Sequence, residues 1–326
     1  MRIGKPMPWR NAPKLVFRIF QLNDATISLP AFAKINLTLR VLGRRADGYH
    51  ELDTIFQTVS LHDTIKFTAT DDPAIVTSCN DLSLAMGETN LVTRAAKALS
   101  DRFSPKHGAR IHLQKRIPAQ AGLGGGSSDA AAALIGLTHL WELSATTDDL
   151  VNIATSLGTD VPFFLFGGTA GGKGIGNQIE RLSDAPETFC LVIKPNANIN
   201  TEAAYKALDA RSLTSKVDET ILSSSGAKEF LDSSRFAFLR NDFEVVAFAL
   251  EPEIGRAKAA LLKAGARGAM LAGSGSAVFG IFDSEDAQRR AIQAIELETG
   301  WRVFPCKTVG REQYQASLYS VSEARA

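Results

Sequence analysis

The chain has 326 residues, long enough for two hydrophobic cores rather than one. Its 36 basic and 35 acidic residues nearly cancel, which excludes a global field that would draw nucleic acid or an anionic membrane. Cys79, Cys190 and Cys306 are widely spaced and odd in number. They indicate neither a disulfide framework nor a metal site, and a cytoplasmic setting is expected. No apolar run approaches the roughly 20 residues that span a bilayer.

Residues 1–26 carry Arg2, Lys5, Arg10, Lys14 and Arg18 with no acid before Asp24. They lack the apolar core and cleavage site of a signal peptide. The segment reads as an extension outside the core, with a targeting sequence as the alternative. Residues 27–43 predict a strand, because Ile35, Leu37, Leu39 and Val41 alternate with Lys34, Asn36, Thr38 and Arg40. The plain reading of Lys34 and Asn36 is a solvated strand face. Asp47-Gly48 is a hairpin turn signal, and it places Tyr49 and His50 at the start of the returning strand. Residues 56–70 predict further strands, and 73–86 a strand and a loop. A helix opens at Glu88-Thr-Asn-Leu91, capped by Thr89 or Asn90, and runs to Leu99.

The segment Arg116–Leu134 is the most informative. A strand end at residues 111–117 is stopped by Pro118, which has no N–H for a ladder. Gly122-Leu-Gly-Gly-Gly-Ser-Ser-Asp129 follows and leads into an Ala-rich helix over 130–143. The glycines let backbone wrap a group closely. Ser127, Ser128 and Asp129 are good N-cap types. A glycine loop feeding a helix N-terminus presents free N–H groups to phosphate. No Lys-Ser/Thr follows the last glycine, and the spacing is not that of a dinucleotide fingerprint.

A second helix is expected over 149–157, capped by Thr147 or Asp148 and ended by Gly158. Pro162 suits the first turn of another helix, so Asp160 sits at a junction, where a capping role is the plain reading. A glycine-rich strand region spans 167–176. Strand 189–194 ends at Pro195 and marks a domain boundary. The expected organisation is 1–26 extension, 27–188 first domain, 189–312 second domain and 313–326 tail, with poor order after Gly310. Within the second domain a helix starts near Thr201, its expected cap, and carries Tyr205. Residues 213–227 are Ser-rich and read as a loop or ragged helix. Arg240–Glu244 reads as a helix start. A helix over 257–265, a strand pair with a glycine turn over 270–282, a last helix over 286–299 and a last strand over 301–305 complete the chain. His62, His107, His112 and His139 have no metal-ligand or triad spacing.

Several of these stretches resemble one family. Pro118-x-x-x-Gly-Leu-Gly-x-Gly-Ser-Ser128 is similar to the phosphate loop of the GHMP kinases. Gly158-Thr-Asp-Val-Pro-Phe163 resembles their catalytic-aspartate segment, and Leu271-Ala-Gly-Ser-Gly-Ser-Ala-Val-Phe279 their third motif, a turn that approaches the phosphate loop. Ala33-Lys-Ile-Asn-Leu37 and Ala46-Asp-Gly-Tyr-His50 resemble the branch formed by the 4-diphosphocytidyl-2-C-methyl-D-erythritol kinases. Asn177 stands where the family usually has an acid, and Lys173 where an acid or a small residue is common.

The resemblance implies an α+β chain in the two-domain GHMP kinase fold, with an S5-like N-terminal domain and a ferredoxin-like C-terminal domain. It implies ATP and Mg²⁺, and a small-molecule substrate, 4-diphosphocytidyl-2-C-methyl-D-erythritol, phosphorylated on an alcohol in isoprenoid synthesis. Neither nucleic acid nor membrane is an expected partner, and the expected state is monomer or homodimer. Asp160 would be the general base, with Lys34 orienting it. Asn90 would contact adenine, Lys115 would lie near the nucleotide, and Pro118, Ala119, Gln120, Ala121, Gly122, Leu123, Gly124, Gly125, Gly126, Ser127 and Ser128 would hold its phosphates. Ser127 or Ser128 would assist the metal. Tyr49 would stack on cytosine and His50 hydrogen-bond it, with Asn36, Thr201 and Tyr205 near the same substrate; an ordinary helix tyrosine is the other reading of Tyr205. Another GHMP small-molecule kinase and a catalytically silent nucleotide or sugar binder are the competing readings. The silent member would be expected to lack Lys34 or Asp160, and both are present.

Overall fold

The computed structural model describes residues 26–209 and 239–319. The expectations for the N-terminal extension up to residue 25, for the Ser-rich segment and for the final residues lie outside these.

The first sheet is built on two long strands, β1 (Thr26–Arg44) and β2 (His50–Thr70), paired antiparallel through the expected hairpin. Residues expected to form several strands are one continuous β2. Its length lets it serve two partners. The C-terminal half pairs β4 (Gly108–Gln114), which also pairs β3 (Ile75–Cys79), and the N-terminal half pairs β5 (Thr169–Gly174), which pairs β6 (Gln178–Arg181). A short β8 (Arg240–Asn241) runs parallel to β1 on its other edge.

Three helices cover one face: α1 (Leu91–Phe103), α2 (Gly125–Leu140) and α3 (Thr147–Leu157). α2 is apolar nearly all round and lies in the middle of the first core, beside Leu29, Phe32, Ile65 and Phe67 of the sheet. A helix with no polar face must be enclosed on all sides.

The second sheet has the order β11–β7–β10–β9, all antiparallel, from β7 (Phe189–Lys194), β9 (Gly268–Leu271), β10 (Val278–Phe282) and β11 (Arg302–Lys307). Its helices are α4 (Thr201–Asp209), α5 (Glu244–Leu250), α6 (Pro252–Lys263) and α7 (Glu285–Ala294). Read through β7, α6, β9, β10, α7 and β11, this is the βαββαβ ferredoxin-like arrangement. The α+β two-domain expectation is borne out.

A middle core joins the two sheets: Ala33, Ile35 and Leu37 of β1 pack against Cys190, Val192, Met270 and Phe279. β1 is therefore covered on both faces from Ala31 to Leu39. Lys34 and Asn36 are 4% and 1% exposed, so the solvated-face reading is overturned. Their polar row faces an enclosed site instead.

The chain after Gly310 also departs from expectation. It forms helix α8 (Arg311–Tyr319), whose Tyr314 and Leu318 enter the first core. Tyr314 Oη donates to Phe164 O, and Tyr319 Oη donates to Leu165 O at 3.2 Å. Burial pushes the Tyr314 phenol well above its ordinary range. α8 thus braces the turn that follows Asp160. Tyr314→Ala is expected to cost roughly 3–5 kcal/mol in urea denaturation, as for other large aromatic truncations. A loss below about 1 kcal/mol would show that α8 is not part of the core.

Candidate active site

The glycine loop leaves β4 at Lys115 and enters α2 at Gly125. Gly124, not a serine, is the N-cap; it has φ +71° and no side-chain cap bond. Ser127 and Ser128 lie in the first turn of α2, one turn later than expected. The left-handed glycine starts the helix early, and the leading N–H groups of α2 are left for a ligand. A Cβ at Gly124 would meet the Phe164 ring and, at 3.0 Å, Lys34 Cγ. Lys34 N donates to Leu123 O at 2.9 Å, which ties the loop to β1.

A cleft of about 500 Å³ opens over this loop, lined by Asn90, Lys115, Pro118 to Ser127 and Asp129, with Leu84, Ala85, Leu91 and Leu113 as its apolar wall. It brings together every residue expected to hold nucleotide except Ser128. Ser128 is 1% exposed, and its Oγ has no partner among the described residues. Asn90 is the α1 cap: its Oδ1 accepts from Val92 N at 2.9 Å, and its Nδ2 donates to Ala85 O at 3.2 Å. The residue that starts the helix therefore also holds the loop forming one cleft wall.

Lys115 has two acidic partners that sequence reasoning missed. Its Nζ donates to Asp63 and, at 2.8 Å, to Asp129. Asp63 is fully buried on β2 and also accepts from Arg116 N and Ile117 N. Burial opposes the Lys115 charge, but the two carboxylates outweigh it and its pKa ends raised. Burial drives the Asp129 carboxyl up to about 7, against the pull of Lys115, because one ammonium cannot offset two enclosed carboxylates. Asp129 Oδ1 is buried without a hydrogen-bond partner among the described residues.

A second cavity, of about 230 Å³, is lined by Lys34, Asn36, Thr54, Phe56, Asp160, Thr201, Tyr205, Phe243 and Ser274, and it shares Gly122 and Gly124 with the cleft. The two spaces meet at the phosphate loop. Lys34 Nζ lies 3.6 Å from Asp160 Oδ2 and donates to Asn36 Oδ1 at 2.7 Å. Asn36 Nδ2 donates to Thr54 Oγ1 at 2.7 Å, and Thr54 Oγ1 donates to Thr38 O at 2.6 Å. Asp160 follows α3 in the turn before a 3₁₀ helix at Phe163–Leu165, shorter than the helix expected after Pro162. Its side chain is 28% exposed, while that of Lys34 is 5% exposed. The pair is a half-open carboxylate backed by an enclosed cation.

Thr54 and Ser274 were missed from sequence. Thr54 lies on a strand whose only local signal is alternation. Thr54→Val keeps the shape but leaves the Asn36 amide and the Thr38 carbonyl without their partner. We expect about tenfold lower kcat, unchanged KM for ATP and a loss of about 1–3 kcal/mol, checked by steady-state kinetics and denaturant melts. An unchanged kcat would remove Thr54 from the support of Lys34. Ser274 meets Thr201 at 3.1 Å between their hydroxyls, joining α4 to the turn between β9 and β10. The α4 cap is Asn200, whose Oδ1 accepts from Ala203 N at 3.1 Å, rather than Thr201. Asn241 fixes the same turn by donating to Leu271 O and Gly273 O at 2.9 and 2.7 Å.

Tyr49 and His50 line neither space. Tyr49 is 60% exposed at the hairpin tip. His50 is buried, stacked on Tyr205, whose other neighbour Phe243 lines the cavity.

Residues 90–168 match the family model of the GHMP kinases N terminal domain, and residues 227–299 match that of the GHMP kinases C terminal. The 4-diphosphocytidyl-2-C-methyl-D-erythritol kinase of Solibacter usitatus (strain Ellin6076) is 43% identical over 88% of this chain and 90% of its own length. The protein of the same name from Syntrophotalea carbinolica (strain DSM 2380 / NBRC 103641 / GraBd1) is 39% identical over 86% and 99%. A crystal structure of 4-(cytidine 5'-diphospho)-2C-methyl-D-erythritol kinase superposes with a TM-score of 0.75 at 35% identity, covering 87% of this chain and all of that one. The homoserine kinase from Cytophaga hutchinsonii ATCC 33406, at 18% identity and a TM-score of 0.67 over 91% and 98%, shares the fold. The chain belongs to the GHMP kinases and, within them, to the 4-diphosphocytidyl-2-C-methyl-D-erythritol kinases.

Proposed function

We propose that the protein transfers the γ-phosphoryl group of ATP to the C2 hydroxyl of 4-diphosphocytidyl-2-C-methyl-D-erythritol, giving the 2-phosphate and ADP, in isoprenoid synthesis. The observation that carries this is the Lys34–Asp160 pair, 3.6 Å apart, in a cavity that opens onto the phosphate loop at Gly122 and Gly124. Phosphoryl transfer needs alignment and charge neutralisation more than covalent chemistry.

The adenine end occupies the apolar part of the cleft beside Asn90, and the phosphates run along Gly122–Ser127 to the N-terminus of α2. Lys115, fixed by Asp63 and Asp129, keeps a cation against the start of that helix; a Cβ on Gly125 would lie 3.2 Å from its Nζ. The acceptor alcohol enters the second cavity. Asp160 takes or aligns its proton, and Lys34 holds that carboxylate and faces the transferring group.

Mg²⁺ fits this arrangement as an ion carried in on the nucleotide. No cluster of three or more His, Cys, Asp or Glu that would hold a metal exists among the described residues. Ser128 Oγ and Asp129 Oδ1, on the fourth and fifth residues of α2, are buried without hydrogen-bond partners among the described residues, and Ser127 lines the cleft. These serines and Asp129 would sit near the ion, which would neutralise phosphate charge while keeping most of its water. A cytoplasmic location belongs to the same reading, supported by free cysteines at 79, 190 and 306.

The test is ADP release with Mg²⁺-ATP and 4-diphosphocytidyl-2-C-methyl-D-erythritol, run beside homoserine and mevalonate. Turnover with the cytidyl substrate alone is expected. Turnover only with another alcohol would move the protein to a different branch of substrate use. Retained ATP binding without turnover of any alcohol would favour a silent binder.

A further inference from the structure

A third cavity, of about 390 Å³, lies between the loop that leaves β4 and the adjoining ends of β7 and β11. It shares Lys115, Pro118 and Ala119 with the cleft over the glycine loop and no residue with the second cavity. Its lining sets Arg116 of the first domain beside Lys194 and Arg302 of the second. Lys194 and Arg302 are direct partners across the β7–β11 ladder. Like charges directly opposite on a sheet repel. Lys194 is 5% exposed, and its Nζ donates to Pro195 O at 2.9 Å, Ala197 O at 2.6 Å and Asn198 Oδ1 at 3.4 Å, all uncharged acceptors. Burial lowers its pKa, and the Arg302 charge lowers it further, with Glu253 pulling the other way. Glu253 Oε1 is itself occupied, accepting from Asn196 N at 3.0 Å and Trp301 Nε1 at 2.6 Å.

Among the described residues, Arg116, Lys194 and Arg302 form no ion pair. Lys115 differs, because Asp63 and Asp129 hold it. The one carboxylate in the lining is Asp81, whose Oδ1 accepts from Ser83 N at 3.0 Å and Ser83 Oγ at 2.6 Å. A buried cation without a counter-charge is costly, and an anion in the cavity would relieve both that cost and the repulsion across the ladder. The excess is local, since the whole chain carries a net charge of only +1. We propose that this cavity binds a compact oxyanion of the phosphate or diphosphate class, gripped by Arg116 and Arg302 over the enclosed charge of Lys194. A guanidinium matches phosphate oxygens with two parallel N–H groups. Lys194, its donors already engaged, contributes charge alone. The anion would bridge the two domains beside Pro118 and Ala119, at the back of the cleft wall.

The experiment is calorimetric titration of the full chain with inorganic diphosphate, without divalent metal and at fixed ionic strength. It is run in excess ADP, which fills the cleft, and again without nucleotide, so that it reads the cavity wherever ADP binds. One diphosphate per chain should bind in the presence of ADP and raise the melting temperature. Inorganic phosphate should compete for the same site more weakly. Arg302→Ala and Arg116→Ala should each weaken diphosphate binding about tenfold or more. Both should leave ADP affinity within about twofold, because neither side chain lines the cleft. Lys66→Ala removes an equal charge from an exposed position that lines none of these spaces, and it should cost less than about twofold. No diphosphate binding in either titration overturns the proposal, as does unchanged affinity in both arginine variants. Binding seen only without ADP and indifferent to Arg302 belongs to the glycine loop and overturns it too. An equal loss in Lys66→Ala would assign the affinity to overall charge, with the same result.

Discussion

Asp160→Asn should lower kcat about 10²–10⁴-fold, the range that a positioned general base contributes, while KM for ATP stays close to that of the unsubstituted enzyme. The two parameters separate because Asp160 lines the second cavity and not the cleft over the glycine loop, where the nucleotide is proposed to bind. The substitution is nearly isosteric. The side chain is 28% exposed, so an amide there keeps access to water and the fold should be little affected. Lys34 would lose its carboxylate neighbour but retain the 2.7 Å bond to Asn36. A kcat within tenfold of the unsubstituted enzyme would reject Asp160 as the base and leave alignment of the hydroxyl to other groups. Lys34→Ala adds a second measurement. If Lys34 works only by holding Asp160, the double variant should be no slower than Asp160→Asn alone. If Lys34 also steadies charge on the transferring phosphoryl group, the two losses should multiply. The geometry, with the Lys34 ammonium 3.6 Å from Asp160 in a cavity that Gly122 and Gly124 also line, allows both roles, and the cycle apportions them.

What was legible in the sequence follows from which signals are local. The Asp47-Gly48 hairpin, the helix start at Thr89 or Asn90, which the structure resolves to Asn90, and strand 189–194 are each written in a few adjacent residues, and each stands where it was read. Lys34 and Asn36 show the limit of a period-two pattern. Alternation says that a strand has one polar face, but it cannot say whether water or a catalytic cavity lies opposite. Here a second sheet covers the apolar face and the site covers the polar one. Asp63, Thr54 and Asp209 were invisible for a different reason. Their partners Lys115, Asn36 and His50 lie 52, 18 and 159 residues away, and nothing in the local sequence marks a carboxylate or hydroxyl as one side of such a contact. α8 did carry a signal, Tyr314 and Leu318 one turn apart, but a nine-residue segment with two apolar anchors does not look like a helix until the core that receives them is known.

Gly122→Ala should raise KM for ATP more than tenfold, lower kcat by at least 10²-fold, and cost roughly 1–3 kcal/mol of stability, by backbone strain and overpacking together. Gly122 has φ +76°, a conformation that alanine adopts only at a cost, and its added Cβ would overlap the carbonyl oxygen of Ala272. That oxygen is backbone and is tied into the turn between β9 and β10: Ala272 N donates to Ala277 O at 2.9 Å, and Ala277 N donates across to Ala121 O at 3.1 Å. Neither side of the contact can yield alone. Relief would push the glycine loop away from that turn, and with it Gly122 and Gly124, the two residues shared by the cleft and the second cavity, where nucleotide and acceptor are proposed to bind. A small displacement there separates the γ-phosphate from the hydroxyl it must meet, and misplacement by about 1 Å already costs on the order of 10²-fold in rate. Gly126→Ala is the contrast. Gly126 lies inside α2, and a Cβ there would meet Leu91 Cδ1 at an ordinary 3.7 Å. It should hold or raise the melting temperature, since alanine is favoured over glycine in a helix by about 0.5–1 kcal/mol. Any loss of ATP affinity at Gly126 would then report contact with the nucleotide alone. A Gly122→Ala enzyme that kept both its stability and its kcat would show that the loop and the turn between β9 and β10 are not locked together, and the coupling of the two cavities through Gly122 would fall with it.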